Sequence, residues 1–223
     1  CIRDRFDADG EQEWMTEKWL ETRGSYDGKM AVRRADFQSS QIEPEPTCLD
    51  ISGSPAKFMQ GHNIFGTDDI QGLGKAVIAR VLGLLELTPT EHEFDRISEG
   101  MIQLSRVDIN YMYTCGNLAN VKSWLRAAET GGYLAGRGRG LMNQGTLRWP
   151  EKKSRYWNLK GYAKGQEIQA PKHQLPQGLV GRGLEEFADD KLRLELTLNA
   201  RYLRTLDRPE GTPANSVGGY ALL

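Results

Sequence analysis

Residues 191–200 (KLRLELTLNA) place the strongest constraint on the fold, because apolar and polar side chains alternate there without a break. Leucine takes every second position, and the positions between are Arg193, Glu195, Thr197 and Asn199. Successive side chains of a strand point to opposite faces, so this segment predicts a strand with one apolar and one polar face. Such strands are typical of an antiparallel sheet that is covered on one side only.

Two other segments have the same construction. Residues 101–114 set polar positions among apolar bulk, and those positions are Arg106, Asp108 and Asn110. Residues 155–169 are also predicted to be extended after a turn at 150–154. One face of that segment carries Lys160, Tyr162 and Lys164. The opposite face carries Leu159, Gly161 and Ala163.

The three strands are expected to share one sheet. Their apolar faces must then pack on helices together, so their polar faces also lie together. The sequence therefore predicts that Asp108, Glu195 and Tyr162 converge on the open side of the sheet.

Helix signals separate the strands. Residues 68–87 carry apolar side chains at a helical period, and Asn117 is a capping residue for a later helix. The further helices are predicted near 91–99, 118–129 and 181–190. The Gly/Arg-rich residues 131–140 are predicted to form a flexible loop. This mixture indicates an α+β fold, an antiparallel sheet with helices packed on one face.

The chain has 223 residues, of which 39% are hydrophobic, and this suits one domain with a sizeable core. We predict a single domain over residues 1–205, with weak structure in residues 1–23. Residues 206–223 are rich in Pro and Gly and are predicted to form a loose tail.

The formal net charge is −1, so any surface that attracts a polyanion must be local. Basic residues do cluster between positions 122 and 164, where the acids are Glu129 and Glu151. The cluster consists of Lys122, Arg126, Arg137, Arg139, Arg148, Lys152, Lys153, Arg155, Lys160 and Lys164. A polyanion partner and a solvated basic loop region both explain it.

The cysteines Cys1, Cys48 and Cys115 are odd in number, and their spacing matches no metal knuckle. This predicts free thiols in a reducing cytosol. No apolar run approaches the ~20 residues that cross a bilayer, so no membrane partner is expected.

Tyr162 stands between two lysines on the polar side of its predicted strand. The ammonium groups of Lys160 and Lys164 would stabilise a phenolate and attract a phosphate, and a phenolate is a nucleophile. The pattern is therefore that of a tyrosine placed to attack a phosphodiester. An exposed strand with an aromatic residue amid solubilising lysines fits the same pattern.

Asp108 and Glu195 are the acids predicted beside Tyr162. Mg²⁺ and Mn²⁺ prefer oxygen ligands, so the two carboxylates indicate a divalent metal site. The alternative is that they pair with Arg106 and Arg193 across the solvent face.

His62 follows Gly61 just before a predicted helix start. A glycine-flanked turn at that position favours phosphate binding, and the imidazole is a candidate metal ligand. The alternative interpretation is a turn histidine that bonds the backbone.

Four motifs resemble the filamentous-phage replication initiator family, the gene II/X proteins. Residues 54–67 (SPAKFMQGHNIFGT) are similar to its SPAK-x-x-QGHN-x-FGT segment, and residues 105–108 (SRVD) to its S-R-[IV]-D strand. The segment that runs from Ser154 to Glu167, and ends in residues 160–167 (KGYAKGQE), resembles its S-R…Y-x-K-x-x-E segment. Residues 193–195 and 201–203 resemble its R-x-E…R-Y-L close. The motifs keep their order across residues 24–205.

The resemblance implies a rolling-circle initiator of HUH-like or Rep-like architecture. Such an enzyme nicks one strand at an origin, keeps the 5′ phosphate on a tyrosine and later rejoins the strand. The nucleophile maps onto Tyr162 with Lys164 as its electrostatic partner. The metal ligands would come from Asp108, Glu195, Glu167 and His62, because no His-x-His occurs in this chain.

The resemblance also implies partners. These are single- and double-stranded origin DNA, the host replication helicase and the host polymerase, all in the bacterial cytoplasm. The basic residues expected to guide DNA are Arg106, Arg137, Arg139, Arg148, Lys152, Lys153 and Arg155. Initiators of this family extend further than the present sequence at both ends. The resemblance therefore favours the nicking reaction over complete replication as the activity of this chain.

Three other functions fit the same residues. The first is a non-cutting DNA-binding regulator like the gene X product, and the second is an accessory protein whose site has decayed. The third is a tyrosine relaxase of a mobile element.

Overall fold

The computed structural model describes residues 3–6, 12–16, 18–36, 47–149 and 154–206. The chain divides into two compact units. The smaller unit contains Cys1–Phe65 and Val77–Leu87, and the larger contains Gly66–Ala76 and Thr88–Leu223. The described strands β1 (Arg3–Phe6), β2 (Gln12–Thr16) and β3 (Leu20–Arg23) occupy the stretch where the sequence has weak structure signals. Of the predicted tail, all but Leu206 lies outside the described residues.

The smaller unit holds two antiparallel sheets. Strands β1 and β2 pair as a hairpin. Strand β3 pairs with β4 (Lys29–Asp36), which pairs with β5 (Thr47–Gly53). Helix α1 (Pro55–Gln60) then begins at Ser54, whose side chain accepts a hydrogen bond from the Lys57 amide, and ends at the left-handed Gly61. Helix α2 (Ile70–Leu84) starts in the larger unit and ends in the smaller one.

The larger unit is built around a five-stranded sheet. After helix α3 (Glu91–Ser98) come β6 (Arg106–Thr114) and helix α4 (Leu118–Gly131). The elements that follow are β7 (Tyr133–Leu134), β8 (Gly138–Arg139), β9 (Leu141–Asn143), β10 (Thr146–Trp149), β11 (Trp157–Ala163), α5 (Lys164–Gln169), α6 (Leu184–Asp189), β12 (Lys191–Asn199) and α7 (Ala200–Leu203).

The strand order is β6-β12-β11-β10-β9, and every neighbouring pair is antiparallel. This confirms that the three alternating segments share one sheet and that the fold mixes helices with antiparallel strands. In β11 and β12, Leu159 lies opposite Leu196 and Lys160 opposite Glu195, so the predicted faces are also confirmed.

Helix α4 covers the apolar face of β11 and β12, because its stripe of apolar residues meets theirs. The core consists of Val121, Leu125, Leu147, Trp149, Ala163 and Leu192. Gly161 keeps room for this helix. A β-carbon there would lie 3.0 Å from Leu194 and 3.5 Å from Leu125.

Two sequence predictions are wrong in detail. The strand predicted over 155–169 ends at Ala163, and Lys164 begins helix α5. The chain turns there because Gly165 permits close packing on α6, where a β-carbon would lie only 2.8 Å from Asp189 Cα. The predicted loop 131–140 contains the short pair β7–β8, in which Tyr133 lies opposite Arg139.

The helix cap predicted at Asn117 is confirmed. Asn117 accepts a hydrogen bond from the Asn120 amide at the start of α4. Thr90 and Glu93 form a reciprocal capping box at the start of α3. In the part of the chain that the structure describes, no helix is both long and apolar enough to cross a membrane.

Candidate active site

The polar face of the larger unit's sheet brings the predicted residues together through strand register. Tyr162 on β11 lies opposite Arg193 on β12, and Lys160 lies opposite Glu195. On the other side of β12, Thr197 lies opposite Asp108 of β6. Three strands therefore contribute neighbouring polar side chains to one surface.

Tyr162 is bound to Glu195. The tyrosine is only 8% exposed, and its hydroxyl donates a hydrogen bond of 3.2 Å to Glu195 Oε2. The other carboxylate oxygen, Oε1, lies 2.6 Å from Lys160 Nζ. That ammonium group also lies 5.7 Å from the centroid of the Tyr162 ring. Glu195 thus joins the phenol to a cation.

Burial raises the pKa of Tyr162 well above its ordinary value, because the phenolate would lose its hydration. The positive charge of Arg193 opposes this shift, and the negative charges of Glu195 and Glu167 add to it. Tyr162 is therefore a neutral hydrogen-bond donor near neutral pH. It can attack phosphorus only if its proton passes to a base and nearby cations balance the charge that develops.

Asp108 lies beside this group and has its own partners. Arg106 donates to both carboxylate oxygens at 2.9 and 2.7 Å, and Thr197 donates to Oδ1 at 2.7 Å. Asn110 links the two regions, since its side-chain oxygen accepts a 3.0 Å hydrogen bond from Arg193 Nε. The predicted pairing of Asp108 with Arg106 is therefore present alongside the predicted convergence.

Lys164 and Glu167 form a second ion pair on α5. Lys164 is completely buried, and its Nζ contacts Glu167 Oε2. His173 Nδ1 lies 3.5 Å from the other oxygen of Glu167. The prediction that Lys164 shares a strand face with Tyr162 is wrong, because Lys164 is the first residue of the helix.

The acids of this face offer a divalent ion only a small donor set. Among the described residues, no three His, Cys, Asp or Glu side chains form a group that could hold a metal ion. Mg²⁺ commonly binds one or two carboxylates and completes its shell with water and substrate phosphate. Arg106 and Thr197 bind the Asp108 carboxylate. Lys160 and Tyr162 bind that of Glu195, so the role of the two acids as metal ligands stays a prediction.

His62 belongs to the smaller unit. Its Nδ1 accepts a hydrogen bond of 3.3 Å from the Ile64 amide, and its ring lies edge-on to Phe65. Gln60 donates to the backbone oxygens of His62 and Phe65 at 3.2 and 2.8 Å. The backbone contact of a turn histidine is therefore present, and the role of His62 as a metal ligand stays a prediction.

The residues predicted to guide DNA occupy different places. Arg106 and Arg148 lie at positions of the polar face, and Arg139 and Arg155 are exposed. Arg137 packs its guanidinium over the Trp157 ring. Lys152 and Lys153 lie outside the described residues.

Sequence reasoning assigned no role in this site to Asn110 or Thr197, and it offered Arg193 only as an alternative partner of the acids. Their signal was present, because all three occupy polar positions of alternating strands. Their partners depend on register between strands that are about 80 residues apart, which no local pattern encodes.

The prediction that Tyr162 and Glu195 lie on the open side of the sheet is wrong, because both residues are buried, as is Arg193. A buried tyrosine, a carboxylate and clustered cations on the polar face of an antiparallel sheet define a candidate phosphoryl-transfer site. The model of a phage family, described as the N-terminal part of a replication-associated protein, matches residues 3–215, so the chain belongs to this family. The expected initiator family is thereby confirmed.

The relatives of this chain include three phage proteins that carry the name replication-associated protein. The protein of Enterobacteria phage I2-2 is 39% identical over 201 residues, which are 89% of this chain and 57% of that protein. Those of Enterobacteria phage fd and Salmonella phage IKe are 27% and 25% identical over 180 residues, which cover 73% of this chain and 42% and 41% of theirs. The chain thus spans about half the length of these relatives. No solved structure matches it.

Proposed function

We propose that this chain nicks one strand of a phage origin and holds the 5′ phosphate on Tyr162, as a rolling-circle initiator does. The observation that carries the proposal is the hydrogen bond from Tyr162 to Glu195, with Lys160 on the same carboxylate. Membership in a family of replication-associated phage proteins supports origin DNA as the substrate. We also propose that the fold has an HUH-like architecture. We further propose that the chain acts with the host helicase and polymerase in the host cytoplasm.

The proposed reaction begins with proton transfer. Tyr162 passes its proton to Glu195 Oε2 as its oxygen attacks the scissile phosphorus. The bond from phosphorus to the 3′ oxygen breaks, and that oxygen takes a proton from solvent. Lys160 and Arg193 balance the negative charge on the tyrosyl oxygen and the phosphate. Rejoining reverses each step, so protonated Glu195 returns its proton to Tyr162.

A divalent ion is part of this proposal. Mg²⁺ or Mn²⁺ would polarise a phosphoryl oxygen and offset charge in the transition state. Asp108 is the proposed protein ligand of this ion, and Glu195 is the candidate second ligand, through its Oε1 atom. Glu167 is a further candidate ligand from the same unit.

The test of the nucleophile is a covalent adduct. The wild-type chain, incubated with origin DNA and Mn²⁺, should form a protein–DNA band on a denaturing gel, and mapping should place the DNA on Tyr162. The Tyr162→Phe protein should form none, because it lacks the attacking oxygen. Tyr113→Phe is the matched control, since Tyr113 is exposed on the opposite face of the sheet and should change nothing. Adduct formation by the Tyr162→Phe protein would refute the assignment.

The proton acceptor has its own test. Glu195→Gln keeps a side chain of the same shape but cannot take a proton, so adduct formation should slow by roughly 10²–10⁴-fold. If the loss instead disappears at high Mn²⁺, Glu195 acts as a ligand and the acceptor role is wrong.

A second candidate is a DNA-binding regulator that does not cut. The burial of Tyr162 favours it, because the raised pKa works against a phenolate. Wild-type protein that binds origin DNA but leaves supercoiled plasmid intact, with Mn²⁺ or without it, would establish this alternative.

A further inference from the structure

One end of the larger unit's sheet gathers three segments. Strand β6 begins there and β12 ends there, because Arg106 lies opposite Asn199. Strand β11 begins at the same end, since Trp157 lies opposite Leu198. The turn before β11 and helix α7 after β12 are therefore neighbours. We refer to Arg106, Arg137, Arg155, Tyr156, Trp157 and Arg201 as the arginine–aromatic end.

Two arginines already stack on aromatic rings at this end. The guanidinium carbon of Arg137 lies 4.5 Å from the centroid of the Trp157 ring. That of Arg201 lies 5.1 Å from the centroid of Tyr156, whose side chain is 39% exposed. A stacked guanidinium keeps its N–H donors at the edge, where they can reach phosphate. The pair of Arg201 and Tyr156 thus offers an exposed aromatic surface together with a phosphate donor.

The rings are held by a fixed turn centred on Ser154. Its hydroxyl oxygen accepts hydrogen bonds from the amides of Tyr156 and Trp157 at 3.1 and 3.4 Å, and from Arg137 at 3.3 Å. Its backbone oxygen accepts a 3.2 Å hydrogen bond from Asn199, which ties the turn to the end of β12. Because the turn already holds these rings in place, a ligand that binds them incurs little entropic cost for ordering the protein surface.

The local charge is strongly positive although the whole chain is nearly neutral. Residues 105–108, 154–157 and 199–206 contain Arg106, Arg155, Arg201, Arg204 and one acid, Asp108. That acid is already paired with Arg106. The surface is therefore suited to a polyanion rather than to an apolar partner.

We propose that the arginine–aromatic end binds single-stranded DNA, with a base stacked on Tyr156 and adjacent phosphates on Arg201 and its neighbours. This inference rests on the proposed function and names the form of DNA that is bound where β11 begins, at the other end of the strand from Tyr162. Stacking on side chains requires unpaired bases, because the bases of a duplex stack on one another. The surface thus selects the melted strand of an origin over intact duplex.

The test is binding of a labelled single-stranded oligonucleotide of mixed sequence by fluorescence anisotropy. The protein carries Tyr162→Phe throughout, so cutting does not enter the result. Adding Tyr156→Leu should weaken binding by roughly 5- to 100-fold, because one base loses its stacking surface. Adding Tyr156→Phe should keep the affinity of the parent protein, since the ring remains.

Tyr113→Leu is the matched control, because Tyr113 is similarly exposed near the other end of β6. It should leave the affinity unchanged, and blunt duplex of the same length should bind equally to the proteins with and without Tyr156→Leu. Equal single-strand affinity in both proteins would overturn the inference, and so would an equal loss for duplex. A failed adduct test together with a Tyr156 effect would reject the cutting chemistry and leave this site standing.

Discussion

At the residue scale, the ionisation of Tyr162 depends on three charged neighbours, Glu195, Arg193 and Lys160. Burial and the carboxylate of Glu195 favour the protonated phenol, whereas Arg193 favours the phenolate. Lys160 holds the same carboxylate that accepts the phenol's hydrogen bond. A bound phosphate that displaced Lys160 or Arg193 would therefore change the pKa of the Tyr162 hydroxyl.

The raised pKa of Tyr162 predicts a loss of stability in alkali. Up to about pH 9 both the folded and unfolded chains hold this proton, so the group contributes nothing that varies with pH. Above about pH 10 the unfolded chain releases it and the folded chain does not, so the free energy of unfolding falls, by up to about 1.4 kcal/mol per pH unit. Tyr162→Phe removes this decline.

Urea unfolding of both proteins at about pH 8 and about pH 11 measures the effect. The stability of wild type relative to Tyr162→Phe should be smaller at the higher pH. Other tyrosines and lysines titrate in both proteins and cancel. An unchanged difference would mean that the buried phenol ionises as easily as an exposed one.

At the element scale, the change from β11 to α5 decides where Lys164 and Glu167 lie. An uninterrupted strand would have carried Lys164 along the polar face of the sheet, in line with Lys160 and Tyr162. The helix instead buries Lys164 at its first turn, in an ion pair with Glu167. Gly165 makes this possible, because α5 and α6 approach each other too closely for a β-carbon.

Gly165→Ala should therefore destabilise the protein. Alanine favours a helix over glycine by about 1 kcal/mol, but its β-carbon would lie 2.8 Å from Asp189 Cα, which is backbone and cannot turn away. We expect a net loss of about 1–3 kcal/mol in the free energy of unfolding, measured by urea denaturation. Gly131→Ala in α4 is the control, since open space surrounds that position and the substitution should not destabilise. Equal stabilities for the two variants would contradict the close approach.

At the scale of the whole molecule, a net charge of −1 excludes a general attraction to DNA. Any affinity must come from local arginines, and those of the larger unit's sheet end are the strongest candidates. A cationic surface on this chain therefore arises because folding brings arginines together, and not because the chain has an excess of basic residues. The same chain can stay nearly neutral overall and still offer phosphate a cationic surface.

The salt dependence of single-strand binding tests this localisation. Each phosphate contact that an arginine makes contributes about −0.7 to the slope of log K against log salt concentration. Arg201→Gln should reduce the slope by about that amount, whereas Arg96→Gln on α3 should leave it unchanged. Titrations at several salt concentrations supply both slopes. Equal slopes for Arg201→Gln and wild type would place the phosphate contacts elsewhere.

The sequence by itself determined the elements whose signal is local. Alternation in β12 and β6, the cap at Asn117 and the family motifs were all readable without coordinates, because neighbouring residues carry that information. Only the tertiary structure decided which side chains touch. Tyr162 meets Glu195 across 33 positions and Asp108 meets Thr197 across 89, and register between distant strands sets both contacts. The end of β11 at Lys164 was likewise decided by packing, because the space available beside Asp189 is a property of the folded chain.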